Sequence, residues 1–143
     1  MIVAFCGHRN VHDTVAVHQW LDQVVKMLVK EGADEFWSGD KGDFSHFGIG
    51  AVTSLKWRYT HLRTVLVQAY IDQEADPLFF DEKLYPPLED VPRRFAMQQR
   101  DRYMALNADV LVMYAVHNFG NSMAIKELAE HKGKRVINYP DLP

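Results

Sequence analysis

The chain has 143 residues, 48% of them hydrophobic and 24% charged, with a formal net charge of −3. That balance suits one folded domain over residues 1–143 and excludes a disordered chain; it also excludes a general attraction to nucleic acid or anionic membrane, though not a local basic site. A single cysteine excludes an intramolecular disulfide and a cysteine-built zinc site. With no signal peptide and no apolar run near ~18 residues, a cytoplasmic protein without a membrane span is the expectation.

Residues 2–6 are an apolar run of strand formers that stops at Gly7. Such a run is apolar on both faces, as a central parallel strand is. Asp13 or Thr14 offers a helix start, and Val17, Leu21, Val24 and Leu28 recur on one helical face up to about residue 31. Gly32 stops that helix. Residues 35–38 read as a second strand. A turn-rich loop over residues 39–45 follows, then a second helix over about 46–59. Residues 64–70 read as the third strand.

Residues 71–90 break the rhythm with Asp76-Pro77 and Pro86-Pro87. Leu78, Phe79 and Phe80 should pin this stretch as an ordered flap, and a loop of that length in a compact domain is usually functional or disordered. Pro92 fits the first turn of a third helix reaching about residue 106. Residues 109–114 form the fourth strand, 115–121 a loop, and the fourth helix runs to about residue 132. Residues 135–139 complete the set. Strands alternating with helices imply a parallel sheet covered on both faces. The expected fold is α/β, a three-layer Rossmann-like sandwich with a parallel five-stranded sheet in the order 3-2-1-4-5.

In such sheets ligands bind beyond the carboxyl ends of the strands, where the winding direction reverses. The loops expected there carry Gly7, His8 and Arg9; then Gly39, Asp40, Lys41, Gly42, Asp43, Phe44 and Ser45; then His117, Gly120, Asn121 and Ser122. Two of these loops feed helix N-termini, whose free N–H groups and dipole favour an anion. Arg9 and Lys41 add positive charge, so a phosphate or carboxylate ligand is favoured. The glycines match neither a P-loop nor a dinucleotide fingerprint. Gly48 and Gly50 fall inside a predicted helix, at roughly 1 kcal/mol each against alanine, which points to close packing.

On the third helix, Met97, Arg100 and Met104 share one face. A guanidinium on a buried face needs an acidic partner, for which Asp109 is a candidate, or an anionic ligand. Histidines 8, 46 and 117 fall near the same edge, but no carboxylate completes a metal-ligand spacing, so no metal is expected. Cys6 lies within an apolar strand and reads as a small hydrophobe rather than a nucleophile.

The strand ending in Cys6-Gly-His-Arg9, the Gly39-x-x-Gly42-x-Phe44 loop, and Arg100 on a helix before Ala108-Asp109-Val-Leu-Val resemble the SLOG superfamily. That Rossmann-like group includes the Lonely-guy phosphoribohydrolases, the DNA-uptake protein DprA and the YpsA-type proteins. The likeness covers nearly the whole chain and is nearest to small bacterial members with a Gly-His-Arg start. Arg100 matches the arginine of the Lonely-guy Met-x-x-Arg helix, which acts at the site. The family's Pro-Gly-Gly-x-Gly-Thr-x-x-Glu loop is replaced by His117-Asn-Phe-Gly120-Asn-Ser122-Met-Ala-Ile125. Gly120 and Ser122 can still form an anion-binding helix start. The catalytic glutamate position is Ile125, and Glu127 is rotated about 200° from it around a helix axis. The aspartate that follows the loop phenylalanine in relatives is Ser45.

The resemblance therefore implies a nucleotide or nucleotide-derived phosphorylated ligand at the sheet edge, bound for sensing or signalling without a resident cofactor. In that expectation Phe44 or a flap aromatic stacks on a base. The alternative is an enzyme cleaving the N-glycosidic bond of a nucleoside 5′-monophosphate, with Arg100 and Asp43 as its catalytic groups, or Asp40 supplying the carboxylate in place of Asp43. The resemblance also implies a homodimer or higher homo-oligomer, with Met123 and Leu128 of the fourth helix as candidate contributors. DNA binding is disfavoured by the acidic charge and the lack of a basic stripe.

Overall fold

The computed structural model describes residues 1–143. The elements run β1 (Ile2–Gly7), α1 (Thr14–Lys30), β2 (Glu35–Ser38), α2 (Asp43–Thr53), β3 (Arg63–Val67), β4 (Glu82–Leu84), α3 (Ala96–Asn107), β5 (Val110–Tyr114), α4 (Asn121–His131) and β6 (Arg135–Asn138). They form one six-stranded sheet in the order β4-β3-β2-β1-β5-β6. Every neighbouring pair is parallel.

The apolar run of β1 is explained by its place at the middle of the sheet. Its residues alternate between two cores, as the period of a strand requires. Val3 and Phe5 enter a core with α1 and α2 residues such as Leu21, Leu28 and Phe44. Ala4 and Cys6 enter the opposite core with Trp37, Met104 and Leu111. Phe5, Phe36 and Phe44 are fully buried, and each contributes roughly 1.5–3 kcal/mol by leaving water. Gly48 lets α2 settle onto β1, because a Cβ there would lie 2.7 Å from the Phe5 ring. Gly50 has no neighbour within 4 Å of such a Cβ, so close packing explains only one of the two helical glycines.

The sheet has six strands rather than five. The additional strand, β4, comes from the stretch that the sequence leaves irregular. Its three residues, Glu-Lys-Leu, pair with β3 alone, so the strand has no second partner and little apolar pattern. Leu78 and Phe79 do not pin this stretch: they are 75% and 39% exposed. Phe80 does pack on the first core. Polar anchors do the rest. The Gln68 side-chain amide donates to the carbonyls of Tyr70, Ile71 and Gln73, and Thr64 Oγ1 donates to the Phe79 carbonyl at 2.5 Å.

Helix α2 starts at Asp43, three residues before the expected start, and stops at Thr53. Pro92 precedes a 3-10 turn at Arg93–Phe95 instead of opening α3. Met123 and Leu128 pack against the second core. They help to hold α4 on the sheet and are only partly buried there.

Candidate functional site

The loop after β1 continues the ladder for one step, with His8 N–H donating to the Tyr114 carbonyl at 3.0 Å. The His8 ring then turns to the loop after β5. Its Nε2 accepts from the backbone N–H groups of Val116 and His117, at 3.1 and 3.2 Å. Burial, followed by the nearby His117, holds the His8 pKa below the ordinary histidine value. The neutral ring with an unprotonated Nε2 is the form that these two bonds require. His117 packs on His8 at 4.6 Å between ring centroids and stacks on Phe119. The two histidines therefore brace a loop.

Arg9 lies beside this brace, exposed, and its side chain makes no hydrogen bond or ion pair within the chain. Its carbonyl accepts from Asp43 N–H at 2.8 Å, and Asp43 Oδ2 accepts from Val11 N–H at 3.1 Å. Asp43 thus staples the loops after β1 and β2 together. Phe44 is 1% exposed. Its ring stacks on Tyr114 and lies 2.7 Å from where a Gly7 Cβ would be. Phe44 is a core residue and cannot stack on a ligand; Gly7 is small so that this ring can pass.

Arg100 is 3% exposed and reaches across the top of β2 and β3. Its Nη1 donates to the Val67 carbonyl at 3.2 Å, and its Nε donates to Asp101 Oδ1 at 2.7 Å. Nη2 has no partner within the chain. The guanidinium lies directly on Gly39, where an added Cβ would be 2.3 Å from Nη1. Its acidic partner is Asp101, not Asp109, whose Oδ2 instead accepts from Ile2 N–H at 2.7 Å. Asp101 also accepts from Asn121 Nδ2 at 2.9 Å, which ties the start of α4 to α3. Burial pushes the Asp101 carboxyl above its ordinary pKa, with Arg100 and Asn121 opposing.

Arg9, Lys41, Ser45, Met97, Arg100 and Asp101 line one small cavity of about 70 Å³ at the carboxyl end of β1. Cys6 also touches it, but burial raises its thiol well above the usual value, so it is not a thiolate nucleophile. Gly120 and Ser122 lie outside this wall.

No family model matches the chain, and no curated protein matches it in sequence. Solved structures match in fold. The Moco carrier protein from Chlamydomonas reinhardtii is 18% identical with a TM-score of 0.62, over 96% of this chain and 74% of that one. DNA processing protein A (DprA) from Streptococcus pneumoniae is 17% identical with a TM-score of 0.67, over 95% of this chain and 49% of that one. DprA from Helicobacter pylori, described with a single-stranded DNA binding mode, is 17% identical with a TM-score of 0.64 and is covered over 64% of its length. The chain shares their fold, a parallel α/β sheet covered by helices on both faces.

Within this fold the expected site residues other than the core residue Phe44 fall into four groups, two of which share Ser45. Gly7, Arg9, Lys41, Ser45 and Arg100 meet at the basic cavity. Gly39, Asp40, Ser45 and His46 line a second compartment of about 220 Å³, closed by Phe79 and Phe80. His8, His117, Gly42 and Asp43 hold the loops. Gly120, Asn121 and Ser122 open α4, and only Asn121 is bonded to a cavity residue. Sequence reasoning missed Asp101 and Met97 in the basic cavity, and Glu74 and Asp76 in the second compartment. Adjacency to Arg100 was the one available signal for Asp101.

Proposed function

We propose that the chain binds a nucleotide or nucleotide-derived phosphorylated ligand at the carboxyl edge of its sheet, for sensing or signalling. One observation carries this reading. Arg9, Lys41 and Arg100 line the same cavity, and the only carboxylate there is Asp101. Arg100 is balanced by Asp101, while Arg9 and Lys41 have no protein partner. The local excess of positive charge stands against a chain of net charge −3. A compact dianion such as a phosphate suits that excess. The structural neighbours support ligand binding by the fold without naming a ligand for this chain: one is a carrier of a cofactor.

Titration calorimetry with inorganic phosphate, ribose 5-phosphate and nucleoside monophosphates tests the reading. Micromolar or tighter binding is expected. Arg9→Ala and Lys41→Ala should each weaken it by roughly 1.5–3 kcal/mol, the range for hydrogen bonds to charged groups. Failure of every anion in the panel to bind overturns it.

The binding reading is preferred to N-glycosidic cleavage because no carboxylate is poised for catalysis in the basic cavity. Asp43 is engaged with Val11, Asp101 is engaged with Arg100 and Asn121, and Asp40 lines the neighbouring compartment instead of this cavity. Chromatography for free base, after prolonged incubation of the chain with nucleoside monophosphates, should show none. Release that disappears in Asp43→Asn would reverse the preference.

A further inference from the structure

The compartment beneath residues 71–80 is the chemical opposite of the basic cavity, and the two share Ser45 as a wall. It carries Asp40, Glu74 and Asp76 against one basic group, His46, with Phe79 and Phe80 along one side. Its volume of about 220 Å³ falls below the roughly 300–1,000 Å³ of sites for whole drug-sized ligands. One ring system fits it, and a complete nucleotide does not.

Asp40 sets the chemistry. Its Oδ1 is buried and has no hydrogen-bond partner. The other two carboxylates have local roles: Asp76 Oδ1 accepts from Leu78 N–H at 2.9 Å, and Glu74 lies 3.9 Å from Lys83 Nζ. A buried carboxylate oxygen without a donor is unfavourable, and native proteins rarely leave one unless a missing group completes it. Rotation about the Cβ–Cγ bond is soft for aspartate, so either oxygen can be turned toward the cavity. A carboxylate that accepts at both oxygens matches a planar edge with two adjacent N–H donors. Phe79 is 39% exposed and its backbone is held by Thr64. An aromatic side chain on a backbone anchored in this way offers a face for stacking on a heterocycle.

Resting on the reading that the basic cavity takes a phosphate, we propose that this compartment is the second half of the same site. It takes a nitrogen heterocycle with two adjacent N–H donors, with Asp40 as acceptor and Phe79 as stacking wall. The carboxylates of the compartment reject a phosphate, which fixes the ligand's direction: anion at Arg9 and Lys41, donor-rich ring beneath residues 71–80.

Calorimetry on the full chain with three probes tests this. Ribose 5-phosphate reports the basic cavity alone. Inosine 5′-monophosphate adds a ring with one N–H at the relevant edge. Guanosine 5′-monophosphate adds the neighbouring amino group. The guanosine nucleotide is expected to bind at least roughly tenfold tighter than the inosine nucleotide, the effect of one charge-assisted hydrogen bond. Asp40→Asn should bring that ratio close to one, and Phe79→Ala should weaken both nucleotides. The ratio in the unmodified chain is informative even if a variant does not fold. Ribose 5-phosphate binding with no preference between the two nucleotides overturns the second compartment and leaves the phosphate reading standing. An Asp40-dependent preference whose affinities are unchanged by Arg9→Ala and Lys41→Ala upholds the compartment and removes the phosphate reading. Silence of all three probes overturns both.

Discussion

Arg100 and Asp101 are adjacent in sequence and paired in space, and that pair controls the charge of the basic cavity. The folded chain holds the Asp101 carboxyl above its ordinary pKa because of burial, despite Arg100 and Asn121. The folded state therefore keeps that proton at pH values where the unfolded chain has lost it. From this group, stability falls as pH rises from the unfolded carboxyl's value through the raised folded value, and is level above both. Urea melts across that interval should show the slope in the unmodified chain and a shallower one in Asp101→Asn. An anion bound at Arg9 and Lys41 pushes the same carboxyl further up, so sulfate, which stays a dianion throughout the carboxyl range, should bind more tightly on the acid side of the window. Gly39 gives a second test. Its alanine variant places Cβ 2.3 Å from Arg100 Nη1 and should lose about 1–3 kcal/mol in thermal melting, as overpacked sites do. Gly50→Ala meets nothing within 4 Å and should gain up to about 1 kcal/mol as a helix-interior change. Equal effects at the two glycines would refute the packing account. Arg100 was legible as a buried charge because it shares a helix face with Met104. Asp101 was not, because the next residue on a helix points roughly 100° away; the ion pair forms only by the guanidinium Nε bending back to it.

Helix and strand existence was legible wherever period and apolarity agreed, as in β1, α1 and β5, and it failed where polar bonds replace apolar contact. The segment from residue 71 to 90 is the clearest case. Its edge strand has three residues and one partner, too short for a two-residue period to show. Its order depends on Gln68, which is 4% exposed and donates to three carbonyls of the following turn. Nothing in a strand reading distinguishes that glutamine from a surface residue. Gln68→Ala should leave those carbonyls without a donor and destabilise the chain by about 1–3 kcal/mol. Hydrogen exchange should then quicken over residues 69–80 while β1 and β5 keep their protection, because their cores do not include this turn. Uniform loss of protection would show that Gln68 supports the whole sheet. The early start of α2 has a similar local origin: Gly42, at φ 90°, reverses the chain in one residue, so the helix begins where the sequence reads as turn.

At the scale of the whole molecule, alternation of strands and helices revealed the sheet order around the winding reversal, and with it the edge where Arg9, Lys41 and Arg100 meet. What alternation does not encode is which loops touch. The acidic compartment exists because the turn after β3 lies over the loop after β2, a contact between residues some thirty positions apart. The charge distribution of the molecule also bears on its class of partner. Single-stranded DNA binding is described for one DprA with this fold, and the chain spans only 64% of that protein. Here a net charge of −3 surrounds the small basic cavity, and the compartment beside it is acidic. Nucleic-acid affinity grows with the number of phosphates neutralised together, and a strand leaving the cavity in that direction meets Asp40, Glu74 and Asp76. A labelled single-stranded oligonucleotide should therefore show little anisotropy change at about 0.15 M salt, at chain concentrations that saturate with a nucleoside monophosphate. Lowering the salt should recover only weak binding, with the shallow salt dependence of one or two phosphate contacts. A steep dependence, with retention at the higher salt, would mean that the surface beyond the cavity tracks a backbone, and the site would then be a strand-binding groove instead of a pocket for one small phosphorylated molecule.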